Sequence, residues 1–321
     1  PKSSSETFAA KQFGHAAIQM YDKTETGGCI DQGDDCLVLN VWSTDKEEDV
    51  GCDWGKRPVM VYIHGGAFVL GGSADIHYDG RNIVERNKDV VVVTINYRVG
   101  LLGFADLKNV PDGANFRDAQ NLGILDQRQA LKWVQDNIAA FGGDPENVTI
   151  FGESAGGGSV AIHMTSPESR DLFRRAIQMS GSLDLSMTEK AYDERRLVPE
   201  LVAAVAKLRF GDVSKTNYVD MAVLQSLTVG EIRNLLQTPV GEPNSVYPDG
   251  LPWPAWDMPS DDISGGVCVL NSFMNFPICD DERGCVPTDP FKAFKESGVA
   301  NGKDYMVGTV RHEMRYFTGY D

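Results

Sequence analysis

A serine flanked by two glycines constrains the fold of this chain more than any other feature. The pattern Gly-Glu-Ser-Ala-Gly at residues 152–156 follows the apolar run 148–151 and precedes small residues that can begin a helix. Glycines permit a close backbone approach that a Cβ atom would block, so the chain can turn sharply from strand to helix. The Ser154 hydroxyl would then stand clear of the sheet. The pattern predicts a nucleophile elbow, although alone it is weakly specific.

A second glycine-rich motif follows an earlier predicted strand. The apolar run 58–63 leads into His-Gly-Gly-Ala-Phe at residues 64–68. Glycines leave backbone N–H groups free to point at one spot, where they could hold the alkoxide formed when a serine attacks an ester carbonyl. A tight turn is the alternative interpretation of this motif. Together the two motifs favour catalysis, with Ser154 as the nucleophile and an oxyanion hole formed by Gly65, Gly66 and Ala155.

Apolar runs alternate with helical patterns along the chain, which predicts an α/β fold with a mostly parallel central sheet and helices on both faces. The predicted strands are Leu37–Trp42, Val59–Ile63, Val90–Tyr97, Val148–Phe151, Ala176–Met179 and Tyr305–Gly308. The four successive valines that begin at Val90 are typical of a strand covered on both faces. Leu131, Val134 and Ile138 fall at helical spacing, so we expect a helix over 126–140.

The pattern changes after residue 183, where helices dominate. Capping-box sequences occur at 186–189 and 228–231. The run 248–259, rich in Pro and Trp, predicts a loop over the site. We therefore expect a single domain over 1–321, with 183–285 as a helical and loop insertion after the elbow region.

The net charge of −16 argues against nucleic acid and anionic membrane as partners, because no basic patch is visible. No stretch approaches the ~20 apolar residues that span a bilayer. We predict no cofactor and no metal site, because the cysteines lack paired Cys-x-x-Cys spacing and a histidine nearby.

Ordered blocks from Asp34 to Ser182 closely resemble the type-B carboxylesterase/cholinesterase family of α/β-hydrolases. The matching blocks are Asp35–Trp42, His64–Phe68, Asn96–Arg98, Leu122–Gln127, Trp133–Ile138, Phe141–Pro145, the elbow and Ser180–Ser182. A weaker match covers 286–317, and similarity between 183 and 286 is poor. The resemblance implies a serine hydrolase that acts on small carboxylic esters through a Ser-Glu-His triad and an acyl-enzyme. A non-catalytic adhesion or binding module of the same fold is the alternative, and a lipase is a third possibility.

Glu313 is the candidate acid of the triad, because the segment 308–313 resembles the family's strand before its acidic residue and this fold uses the order Ser, acid, His. A solvated carboxylate at a strand end is the alternative for Glu313. We interpret Asp126 and Glu153 as structural. Cholinesterase activity is not expected, because choline-binding members stack the cation on a Trp, whereas 18–35 contain only Tyr21 as an aromatic residue.

None of the five histidines is a good general base. His64 belongs to the oxyanion motif, and His163 lies on the helix after the elbow, where we expect a packing role. His15 and His77 precede the serine, and His312 should point away from its neighbour on an extended segment. We therefore expect the chain to be the central part of a longer polypeptide, whose N- and C-terminal segments are partners and supply the histidine.

The resemblance also bears on the six cysteines. The family pairs Cys36 with an upstream cysteine whose place is taken here by alanine, so that Cys29 and Cys52 are the local candidates. Cys268 and Cys279 have the spacing of a second family loop, with Cys285 competing for either. Disulfides would imply a secreted, periplasmic or extracellular protein, and a cytoplasmic location is the alternative.

Overall fold

The computed structural model describes most of the region that carries the motifs. The described residues are 10–19, 31–44, 56–183, 186, 197–237, 277–278, 285–287, 289–296, 302–311 and 313.

Within these residues, one sheet of six strands organises the fold. The strands are β1 (Leu39–Trp42), β2 (Arg57–Ile63), β3 (Val91–Ile95), β4 (Gly143–Glu153), β5 (Arg175–Met179) and β6 (Asp304–Gly308). Their spatial order is β1-β3-β2-β4-β5-β6. The β1–β3 pair is antiparallel, and every other neighbouring pair is parallel. Each strand predicted from the sequence is present, with bounds that differ from the predicted ones by at most five residues.

Helices and short turns connect the strands. The helices are α1 (Arg81–Arg86), α2 (Gly100–Phe104), α3 (Leu122–Asn137), α4 (Ala155–Thr165), α5 (Leu197–Phe210), α6 (Met221–Gln225), α7 (Val229–Gln237) and α8 (Pro290–Glu296). Short 3-10 helices lie at Ile76–Tyr78, Gly113–Ala119, Ile138–Phe141, Pro167–Leu172 and Lys215–Tyr218.

The valine-rich strand β3 is covered on both faces, as its sequence predicts. All five of its residues are buried. Val91 and Val93 belong to the main apolar core, whereas Val92 packs with Val84 of α1 in a second cluster. Because successive side chains of a strand point to opposite faces, apolar clusters lie on both sides of the sheet at this strand.

Helix α3 begins four residues earlier than predicted and continues into the 3-10 turn at 138–141. Its early start coincides with a close approach at Gly123, where an added Cβ would lie 2.4 Å from the Phe104 ring. Leu131, Val134 and Ile138 are fully buried, which confirms the spacing that predicted the helix.

The described residues 197–237 are mostly helical, as predicted. The capping box at the start of α7 is formed: the Thr228 N–H donates to Glu231 Oε2 at 2.8 Å, and the Glu231 N–H donates to Thr228 Oγ1 at 3.3 Å. Val205 of α5 and Leu235 of α7 belong to the same apolar core as the sheet. Of the other predicted capping box only Ser186 is described, and the run 248–259 lies outside the described residues. The subdomain boundary stays a prediction.

Among the described strands, β6 lies at one lateral edge of the sheet, and it exposes apolar side chains. Met306 is 63% exposed and Val307 is 55% exposed, and Val310 just beyond the strand is 61% exposed. Each helix among the described residues is too short or too polar to span a membrane.

Candidate active site

The strands that precede the predicted site residues end on the same side of the sheet. Strands β2, β4, β5 and β6 are mutually parallel, so their carboxyl ends face the same side. Ser154 follows β4, and its N–H donates to the Met179 carbonyl oxygen at the end of β5 (3.0 Å). In turn, the N–H of Ser180 donates to the Gly308 carbonyl oxygen at the end of β6 (2.8 Å). Three adjacent strand ends are therefore tied together around the serine.

Ser154 occupies the sharp turn that the sequence predicts. Strand β4 ends at Glu153 and helix α4 begins at Ala155, which leaves the serine alone between the two elements. Its backbone has φ 55° and ψ −121°, a conformation rare for a residue with a side chain. Such strain costs about 1–3 kcal/mol and persists only where the surrounding structure holds it.

Glycines on both sides of the serine make this turn possible. A Cβ at Gly152 would lie 2.5 Å from the carbonyl carbon and oxygen of Gly156, and a Cβ at Gly156 would lie 2.0 Å from the carbonyl oxygen of Ile63. These obstacles are backbone atoms, which cannot rotate away as side chains can. Helix α4 therefore sits against the end of β2 at a distance that only glycine permits.

The loop after β2 passes directly beside the serine. A Cβ added to Gly65 would lie 3.3 Å from the Ser154 Cβ and 2.8 Å from the Glu153 carbonyl oxygen. Gly66, Ala67 and Phe68 have φ values of 106°, 54° and 62°, so the loop turns through three successive left-handed residues. The backbone of Gly65 and the first turn of α4, which begins at Ala155, thus both lie next to Ser154. The first N–H groups of a helix have no acceptor within the helix and are available to an anion.

Two buried side chains fix this loop. The Tyr97 hydroxyl donates to the His64 carbonyl oxygen (2.8 Å), and the two rings stack with centroids 4.2 Å apart. At the other end, the Gln19 amide donates to the Gly71 carbonyl oxygen (2.9 Å) and accepts from the Gly71 N–H (2.8 Å). Sequence reasoning missed both supports, and no local pattern around Gln19 or Tyr97 signals them.

His64 belongs to this support and not to acid–base chemistry. Its Nδ1 lies 2.8 Å from the Gly65 carbonyl oxygen, so Nδ1 carries the hydrogen and donates it. Burial lowers the pKa of His64 to about 4, because the charged imidazolium would lose its hydration. The ring is neutral near pH 7.

No histidine in the described part of the chain hydrogen-bonds to Ser154, whose hydroxyl has no partner among those residues. His163 is fully buried and bonds to Ser169 and Gln127 (2.9 and 3.1 Å), which gives the expected packing role a polar character. His77 is exposed and pairs with Asp75 at 2.9 Å. His312 lies outside the described residues.

The three acids named from the sequence have different surroundings. Glu313 Oε1 accepts the Val310 N–H at 2.6 Å, so this carboxylate folds back on the segment after β6. Asp126 pairs with Arg98 through two side-chain contacts of 2.7 and 2.6 Å, and these hydrogen bonds raise the pKa of Arg98. This pairing is the structural role expected for Asp126. Glu153 is exposed beside the serine.

Two further predictions concern the cysteines and metal binding. Cys36 is buried as a thiol, and burial raises its pKa to about 11. Its predicted partners Cys29 and Cys52 lie outside the described residues, as do Cys268 and Cys279, so both pairings stay predictions. Within the described residues, no group of three His, Cys, Asp or Glu side chains is placed to hold a metal ion.

This combination of a mostly parallel sheet, a strained serine between strand and helix and a glycine loop beside it defines an α/β-hydrolase. The family comparison agrees, since residues 1–321 match the carboxylesterase family. The chain belongs to that family.

Individual relatives point the same way. The chain is 46% identical over 160 residues to the para-nitrobenzyl esterase of Bacillus subtilis, which covers 50% of this chain and 30% of that protein. It is 43% identical over 199 residues to the acetylcholinesterase of Danio rerio, covering 59% and 29%.

Solved structures match nearly the whole chain. A Geobacillus stearothermophilus carboxylesterase aligns with TM-score 0.67 and 33% identity, over 97% of this chain and 53% of that one. A para-nitrobenzyl (PNB) esterase aligns with TM-score 0.62 and 32% identity, over 95% and 54%. The chain therefore spans about half the length of these solved relatives.

Proposed function

We propose that the chain carries the nucleophile and oxyanion hole of a serine carboxylic-ester hydrolase. The observation that supports this most is the backbone of Ser154, held at φ 55° and ψ −121° with Gly65 beside it. Strain of this kind clusters at functional sites. Two relatives whose names are esterases share the family, which supports the same reaction class.

In the proposed reaction, Ser154 Oγ attacks the ester carbonyl carbon while a histidine takes its proton. Negative charge develops on the carbonyl oxygen, where the N–H groups of Gly65, Gly66 and Ala155 stabilise it. The alcohol leaves with the proton returned by the histidine, and water then hydrolyses the acyl-enzyme. Glu313 orients the imidazole and stabilises its charged form.

The histidine is proposed to come from a segment of the polypeptide outside this chain. Two observations support this: none of the four described histidines is hydrogen-bonded to Ser154, and strand β6 leaves Met306 and Val307 exposed. An apolar edge beside Glu313 is suited to cover by further protein. A location of the protein outside the cytoplasm is proposed from the cysteine pattern.

A non-catalytic binding module remains the competing function, favoured by the lack of a histidine partner for Ser154 among the described residues. Labelling separates the two. The native protein is treated with a fluorophosphonate probe, and the labelled peptide is identified by mass spectrometry. Only a hydroxyl activated beside an oxyanion hole reacts quickly, so we expect label at Ser154 and hydrolysis of p-nitrophenyl acetate.

Ser154→Ala should lose both label and hydrolysis, while Ser214→Ala, a change at an exposed serine far along the chain, should keep both. Hydrolysis that persists in Ser154→Ala would remove Ser154 from its role. A native protein that neither labels nor hydrolyses esters would establish the binding module instead.

A further inference from the structure

A chain of four hydrogen bonds runs behind the elbow, through the interior of the molecule. Ser169 Oγ lies 2.9 Å from His163 Nδ1, and His163 Nε2 lies 3.1 Å from Gln127 Oε1. The Gln127 amide donates to Ser159 Oγ at 3.0 Å, and Ser159 Oγ donates to the Ala155 carbonyl oxygen at 2.9 Å. All four side chains are fully buried.

Every hydrogen bond in this series is donated in the same direction, from Ser169 towards the Ala155 carbonyl oxygen. The amide oxygen of Gln127 can only accept, so His163 Nε2 carries the hydrogen. Burial lowers the pKa of His163 to about 3, which keeps the ring neutral and leaves Nδ1 as the acceptor of the Ser169 hydroxyl. The Gln127 NH₂ group occupies Ser159 Oγ as an acceptor, so the Ser159 hydrogen is directed to Ala155. Aligned bonds of this kind strengthen one another.

The hydrogen-bond chain ends on the first turn of α4, which has the lowest intrinsic helix propensity in that helix. Residues 155–158 read Ala-Gly-Gly-Gly, and glycine is among the poorest helix formers. The strained serine immediately before this turn would relax if the turn unwound. Ser159 fastens the Ala155 carbonyl to Gln127 of α3, and Ser169 ties the far end to the turn at 167–172. The first turn is therefore anchored to two neighbouring elements.

We propose that Ser159, Gln127 and His163 are positioning residues for the reaction, which hold the first turn of α4 so that the Ala155 N–H meets the developing oxyanion. This inference rests on the proposed function, because it assumes that Ala155 is an oxyanion donor. None of the three touches the substrate. Their loss should therefore affect the transition state more than substrate binding.

The test compares Ser159→Ala with Val160→Ala in the native protein. Both changes shorten a fully buried side chain of α4, but only the first breaks the hydrogen-bond chain. Active sites are counted by fluorophosphonate labelling, so that kcat refers to labelled sites alone. We expect Ser159→Ala to lower kcat about tenfold with KM changed less than about twofold. Val160→Ala should lower the unfolding temperature and leave kcat per labelled site unchanged.

Two further variants complete the test. Ser159→Cys keeps a weak donor of similar size and should restore part of kcat. Gln127→Met removes both central bonds at nearly constant volume, and should lower kcat even if Ser159→Ala fails to fold. The inference would be overturned by an unchanged kcat per labelled site in Ser159→Ala. If Ser159→Ala does not fold, an unchanged kcat in Gln127→Met would overturn it. An equal fall of kcat in Val160→Ala would also overturn it. Failure of the proposed function is seen separately, as absence of label at Ser154 in the unmodified protein.

Discussion

Replacing Gly156 by alanine tests how the elbow is built, because its closest approach involves backbone alone. A Cβ at this position would lie 2.0 Å from the Ile63 carbonyl oxygen and 3.0 Å from that of His64. Real Cβ atoms essentially never come within 3.0 Å of another heavy atom. Helix α4 and the end of β2 must therefore separate by about 1 Å in Gly156→Ala.

This separation acts directly on the proposed site. It moves the first turn of α4, with Ala155, away from the loop that carries Gly65 and Gly66. A misplacement of ~1 Å costs roughly 100-fold in rate, and overpacking costs about 1–3 kcal/mol of stability. We expect kcat/KM for p-nitrophenyl acetate to fall about 100-fold, with slower fluorophosphonate labelling and a lower free energy of unfolding in urea.

Gly230→Ala is the matched control. Gly230 lies in α7, where an added Cβ meets nothing within 4 Å. Alanine in place of glycine in a helix should raise stability by up to about 1 kcal/mol and leave hydrolysis unchanged. A Gly156→Ala protein with kcat/KM within about threefold of the unmodified protein would show that the close approach does not set the site geometry.

The remaining predictions concern the acid and the buried histidines. Glu313→Gln should lower kcat strongly with little change in KM, because a neutral amide cannot stabilise the imidazolium, and Glu313→Asp should retain more activity. An unchanged kcat would place the acid elsewhere, with a carboxylate of 280–282 as the next candidate. Burial lowers the pKa of His64 to about 4 and of His163 to about 3 from 6.5. Below pH ~6.5 the two histidines bind protons in the unfolded chain but stay neutral in the native state. The free energy of unfolding therefore falls as the pH is lowered below that value. The two histidines should together remove about 4 kcal/mol between pH 7 and pH 5, measured by urea unfolding, and a flat profile would contradict their neutral burial.

The sequence predicts those parts of the fold and site whose signals are short-range. Strand β3 can be predicted because an uninterrupted run of valines is typical of a strand that is buried on both faces. The elbow can be predicted because the sharp turn at Ser154 requires a residue without a Cβ atom at position 156, only two residues away in sequence. In both cases the residues that create the signal are neighbours in sequence.

The supports around the site could not be predicted, because they join residues far apart in sequence. Gln19 binds the backbone of Gly71, and Gln127 bonds to Ser159 and to His163. The sequence around a buried glutamine does not distinguish it from an exposed one, so only the fold shows which side-chain amide is buried. The position of His163 on the helix after the elbow predicts a packing role. The structure adds that it packs as a hydrogen-bonded neutral ring.

The proposed machinery divides into a part formed by one contiguous segment and a part contributed by residues distant from that segment in sequence. Strands β2 and β4, the loop after β2 and helix α4 all lie within residues 57–165, and they make the close backbone contacts around Ser154. Glu313, the proposed acid, lies after β6, and no described histidine is hydrogen-bonded to the serine. Geometry at Ser154 and proton transfer from Ser154 are thus separate properties. A variant such as Gly156→Ala perturbs the first, whereas Glu313→Gln perturbs only the second, so the two should differ in stability even where both lose activity.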